Sequence, residues 1–131
     1  MTRIIIMDIK KIQPSQLYIN QSKLENLERQ FNPDEITSNH PLPIKKQKEQ
    51  IFFTDGHTRA FMYYKAGKKE IPVYWDEDEL DMELYMTCLG WCKENKIHFI
   101  GDLKDRILPN EIYKELWINR CKKYTSKRKE E

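Results

Sequence analysis

Ile51-Phe52-Phe53-Thr54 is a short apolar run, and Asp55-Gly56-His57 breaks it before Thr58-Arg59-Ala60-Phe61-Met62-Tyr63-Tyr64-Lys65-Ala66 takes on helical character. The reading is strand, turn, helix. Gly56 permits close approach of the backbone to a ligand. The first N–H groups of the helix, from about His57 to Ala60, have no partner within it and lie at the positive end of its dipole. His57 and Arg59 add side-chain donors, and a guanidinium can hold an oxygen pair in two parallel bonds. Thr58 offers a hydroxyl to a phosphate or a metal. Asp55 can hold Mg²⁺, accept a proton, or cap the turn. On these residues alone, a plainer reading in which Asp55 and Thr58 only satisfy the helix start stands beside the phosphate reading.

Working outward, Gly67 closes the helix at its C′ position, with Lys68 and Lys69 beyond it. Ile71 to Trp75 reads as a strand, and Pro72 argues for a sheet edge or a strand start. Upstream, residues 44–47 and 51–54 read as strands joined by a turn at 48–50, and the segment from Ile36 to Pro43 reads as a loop. Arg3 to Ile6 and Asp8 to Ile12 read as extended openings. Ser22, with Glu25 three residues on, has capping-box spacing for a helix that ends at Asn32-Pro33. Downstream, a helix is expected from the acidic run at Asp76 to about Asn95, a short one from Gly101 through Ile107, and a last one from Pro109-Asn110. The fold class is α+β: a small mixed β-sheet with flanking helices over residues 1–75, followed by a helical extension over 76–131. The extension is expected to pack on the sheet and to end in a basic tail at 122–131.

Composition bounds the function classes. The chain has 131 residues, with 34% charged and 39% hydrophobic, and its three Trp, seven Tyr and five Phe supply bulk for one core. No apolar run has the length of a membrane span and no signal-peptide pattern is seen, so no membrane partner is expected. Three Cys suit a reducing, cytoplasmic setting better than a disulfide framework. The net charge of +2 does not by itself imply nucleic acid, but its distribution is uneven. Residues 76–83 carry six acids and no base, whereas residues 84–129 carry 11 bases against 5 acids. Cys88 and Cys92, with His98 and Cys121, offer four zinc-type ligands. Their i, i+4 spacing on an apolar stripe reads instead as buried thiols, so no metal site is expected there.

Five segments occur in a telling order: Ile12-x-Pro-Ser-Gln-Leu17, Lys23-Leu-x-x-Leu27, Pro41-Leu-Pro-Ile44, Phe53-Thr-Asp-Gly-His-Thr-Arg-Ala60 and Ile71-Pro-Val-Tyr74. Over roughly residues 8–75 this resembles the ParB/sulfiredoxin-like superfamily in its ParB N-terminal-domain-like branch. The resemblance implies a nucleotide-binding module whose phosphates sit on Gly56, His57, Thr58 and Arg59; Asp55 and His57 are the candidate catalytic residues, Asp55 as metal ligand or base with Glu25, Glu28 and Glu35 in reserve. It implies a nucleoside triphosphate or diphosphate with Mg²⁺ as cofactor, and NTPase or phosphotransferase chemistry. Members include CTP-hydrolysing partition proteins, ATP-dependent sulfiredoxins, nucleotide-dependent free-serine kinases and relatives described as nucleases. The alternative is a non-catalytic module that associates with DNA or with another protein. Departures are specific. His57 stands where sulfiredoxins have their reactive Cys, and Asn20-Gln21 stands where the kinases have a His-Glu pair. The 56 residues from Asp76 are too few for the further domains of a partition protein.

Overall fold

The computed structural model describes residues 3–35 and 39–130. Positions 36–38 of the expected 36–43 loop lie outside the described residues. The architecture is α+β. Seven strands are β1 (Ile5–Asp8), β2 (Ile12–Gln13), β3 (Ile19–Asn20), β4 (Leu42–Gln47), β5 (Gln50–Phe53), β6 (Glu70–Trp75) and β7 (Ile107–Leu108). Helix α1 (Gln21–Gln30) follows β3, α2 (His57–Lys65) follows β5, and α3 (Met82–Glu94) follows β6. The chain ends in α4 (Asn110–Tyr113), a π-helical segment over Lys114–Ile118 and α5 (Asn119–Glu130).

Five strands form a mixed sheet in the order β1-β6-β4-β5-β2. The β1–β6 and β4–β5 ladders are antiparallel, and β4–β6 and β2–β5 are parallel. Inward residues repeat at period two, as a sheet requires. Ile44 pairs with Phe53 and Leu42 with Val73, and all four are fully buried. Helix α2 adds Ala60 and Tyr63 to the same cluster. The second half of the chain joins that cluster through Cys88, Cys92, Ile97, Ile100, Leu103 and Trp117. It also contributes a strand, because β7 pairs in parallel with β3.

Several boundaries differ from the sequence expectations for identifiable reasons. Asn20, not Ser22, caps α1: its Oδ1 accepts from the N–H groups of Ser22 (2.9 Å) and Lys23 (3.3 Å). β3 reaches Asn20, so the helix begins directly after it. Residues 9–11 form a 3-10 turn in place of a continuous extended run, with the Asp8 carboxylate accepting from Lys10 N–H. The acidic run is mostly not helical; α3 starts at Met82 with Asp81 as its cap. Asp76 is drawn instead to the sheet, where it accepts from the Thr54 hydroxyl at 2.7 Å. Pro72 sits in an interior strand and not at an edge, near the start of β6. The expected helix at 101–107 is a 3-10 turn at Ile100–Leu103 followed by β7.

Asn20 also joins the two halves, since its Nδ2 donates to Asn110 Oδ1 at 2.9 Å. Asn20→Ala is therefore expected to lower unfolding free energy in urea by about 1–2 kcal/mol. A loss below about 0.5 kcal/mol would show that this cap is not what fixes the start of α1.

Candidate functional site

β5 delivers the chain to a turn at Thr54–Gly56, and Gly56 is the N-cap of α2 with φ +77°. That left-handed backbone is one reason for glycine. Space is the other: a Cβ there would lie 2.6 Å from Leu42 Cδ2 and 3.1 Å from Arg59 Nη2. The Arg59 guanidinium thus folds back over the turn, and its Nη1 donates to the His40 carbonyl at 3.1 Å. Among the described residues Arg59 enters no salt bridge, and the nearby acid Asp76 is occupied with Thr54.

No side chain caps α2. Asp55 Oδ1 accepts from Gly56 N–H at 2.8 Å, and the first bond of the helix runs from Ala60 N–H to the Gly56 carbonyl at 2.9 Å. The N–H groups of His57, Thr58 and Arg59 precede that bond and lie at the positive end of the helix. A cavity of about 370 Å³ is lined by residues that include Asp55 to Arg59. Lys23 and Asn26 border it from α1, one turn apart on one face, and Gln16 and Tyr113 also line it. The Tyr113 hydroxyl accepts from Gln16 Nε2 at 3.3 Å, and burial pushes its pKa up to about 12, so it stays protonated. Asp55 is the one carboxylate in the lining, against Lys23 and Arg59.

His57 is placed differently from a surface donor. The residue is 2% exposed, and its Nε2 accepts from Ser15 N–H at 2.9 Å. Ser15 Oγ donates in turn to the Phe53 carbonyl at 2.6 Å, and the Phe53 ring meets the imidazole edge-on. Burial lowers the His57 pKa to about 4, only partly offset by the Asp55 charge. The ring is therefore neutral near pH 7, and with Nε2 accepting, its proton is on Nδ1. That buried Nδ1 has no hydrogen-bond partner among the described residues. An unmade buried donor of this kind costs about 1–3 kcal/mol.

Other candidates fall away from the cavity. Glu25, Glu28 and Glu35 are not in its lining, and Glu28 pairs with Lys65 at 2.8 Å. Asn20 is committed to capping α1. Cys88 and Cys92 are buried; burial pushes the Cys92 thiol up to about 12, while a hydrogen bond with Cys121 and burial push Cys88 up. Among the described residues no three His, Cys, Asp or Glu are grouped to hold a metal. Trp91 and Trp117 pack edge-to-face at 6.1 Å, and Arg120 lies over the Trp91 ring. Sequence reading missed Lys23, Asn26, Gln16 and Tyr113 as cavity residues. Lys23 and Gln16 carried a signal, as parts of the Lys23-Leu-x-x-Leu27 and Ile12-x-Pro-Ser-Gln-Leu17 segments. No helix among the described residues is long and apolar enough to cross a membrane.

No family model and no curated protein matches the chain. Among solved structures, protein Atu1540 from Agrobacterium tumefaciens is similar with a TM-score of 0.48 and 15% identity, over 84% of this chain and 63% of that one. The chain thus spans less than two thirds of that neighbour's length.

The buried imidazole makes stability pH-dependent. The unfolded chain binds the proton at the ordinary value of 6.5, whereas the folded chain resists it down to about 4. The stability owed to the neutral ring is full above pH 6.5 and is lost as pH falls toward 4, by about 3 kcal/mol for this group. Denaturation of wild type and His57→Gln at pH 7 and pH 4 should show their stability difference shifting by that order against wild type at the lower pH. Parallel curves would contradict a neutral, buried His57.

Proposed function

We propose that the protein binds a nucleotide through its phosphates at the start of α2, as the ParB/sulfiredoxin-like resemblance implies. The observation that carries the reading is the uncapped helix start behind Gly56, where the N–H groups of residues 57–59 share a cavity with Arg59 and Lys23. A positive side chain at a helix N-terminus is disfavoured by the dipole unless an anion lies between. Arg59 has no carboxylate partner among the described residues to supply that anion. The phosphates are cradled by backbone N–H groups of His57 to Arg59, clamped by Arg59, and approached from α1 by Lys23. Thr58 contributes its hydroxyl, and Gly56 keeps the turn bare. The His57 ring acts from within, holding the turn at Ser15 against the start of α2.

The residues present are compatible with Mg²⁺, which is commonly held by one or two carboxylates together with substrate phosphates. Asp55 would hold it, and the ion would neutralise phosphate charge. With Asp55 on the ion, the lining offers no second carboxylate as base, either for water or for an acceptor hydroxyl, and what it supports is nucleotide binding.

Calorimetry with Mg²⁺ and ATP, CTP, GTP or ADP tests the reading. Wild type should bind at least one of them, and Arg59→Ala should weaken binding roughly ten- to a hundredfold with unchanged circular dichroism, the effect of losing one charge-assisted contact. Equal affinity in the variant, or no binding up to about 1 mM, would remove the assignment.

A further inference from the structure

A second concavity, of about 690 Å³, lies at the other end of β5, bordered by the β4–β5 turn, the 3-10 turn at 9–11 and one face of α3. Its charged lining is one-sided: Lys10, Lys11, Lys48 and Lys93 against the single carboxylate of Glu49. All four lysines are exposed, and among the described residues none is in a salt bridge. They come from three separate elements, and Ile51, Met86 and Leu89 give the groove an apolar floor.

Two local costs meet in the same groove. Lys48 occupies the hairpin tip with φ +57°, a backbone that two-residue hairpins normally give to Gly or Asn. Gly90 lies inside α3, where glycine is the poorest helix former after proline. A methyl group there would meet nothing within 4 Å, so no neighbouring side chain demands its absence. Gly90 leaves the helix backbone bare along the groove, between Met86 and Lys93 on the same face. Residues that violate a local rule with no compensating contact are expected at functional surfaces.

We propose that this groove binds the phosphodiester backbone of a nucleic acid. Several lysines on separate elements suit a chain of phosphate charges, whereas an isolated carboxylate is better met by the fork of an arginine, which the groove lacks. The apolar floor gives base or sugar faces somewhere to lie while the phosphates follow the lysines. The surface is distinct from the cavity at α2, and its occupancy does not depend on a nucleotide being bound there.

Fluorescence anisotropy on the full chain with a labelled single-stranded oligonucleotide and a labelled duplex, each at several salt concentrations, tests this. Wild type should bind at least one, more weakly as salt rises. Lys48→Gly/Lys93→Gln should bind about tenfold or more weakly, and its dependence of log K on log salt should be shallower by about 1.4 for the single strand or about 1.8 for the duplex. Lys48→Gly alone relieves the strained turn, so its melting temperature should not fall even though affinity does. No binding to either probe, or unchanged affinity and salt dependence in the double variant, would overturn the proposal.

Discussion

Ser15 N–H to His57 Nε2 is the bond on which the arrangement around α2 turns. It joins the turn after β2 to the first residue of α2, two places 42 residues apart in the chain. Ser15 Oγ extends the link to the Phe53 carbonyl at the end of β5. The start of α2 is therefore pinned from both sides of Gly56. The pin works only while the imidazole is neutral, because a protonated ring has no lone pair to accept from the Ser15 N–H. Burial keeps it neutral. The consequence is a helix start held rigidly with its own donors unspent, which is the condition for preorganised anion binding.

What could be read from the sequence was local. The strand Ile51–Phe53, the break at Gly56 and the helix to Lys65 follow from composition and from one glycine. The end of α2 was equally legible: Gly67 has φ +80°, and the N–H groups of Lys68 and Gly67 close back on the carbonyls of Tyr63 and Tyr64. The α+β class and the helical extension also follow from apolar spacing. What could not be read depends on distant partners. β3 and β7 are two residues each and exist only because they pair across 88 positions, with Ile19 against Ile107. Asn20 outranks Ser22 as a cap because Asn110 is there to hold its amide.

The candidate site divides along the same line. Gly56, Thr58 and Arg59 lie in one short motif and were legible as such. His57 looked like a surface donor because nothing nearby in sequence shows that Ser15 and Phe53 enclose it. Lys23, Asn26 and Tyr113 reach the cavity from α1 and α4; Lys23 belongs to one of the ordered segments, but no helical or strand period places any of the three beside Gly56. Tyr113 gives the extension a part in the cavity that its amphipathic spacing alone would assign to packing. The two concavities also have a simple geometric relation. The β4–β5 turn opens β5 at the basic groove, and the Gly56 turn leaves it at the cavity. At four residues, β5 separates them by only about 13 Å.

The central claim is that anionic phosphate is held by the backbone at the start of α2. Amide chemical shifts in ¹⁵N-labelled full-length protein, followed during titration with inorganic pyrophosphate and Mg²⁺, address it most directly. The account predicts saturable shifts at the amides of His57, Thr58 and Arg59, with smaller ones at Lys23. Saturable shifts confined to the lysines of the basic groove, or none at residues 57–59, would contradict it.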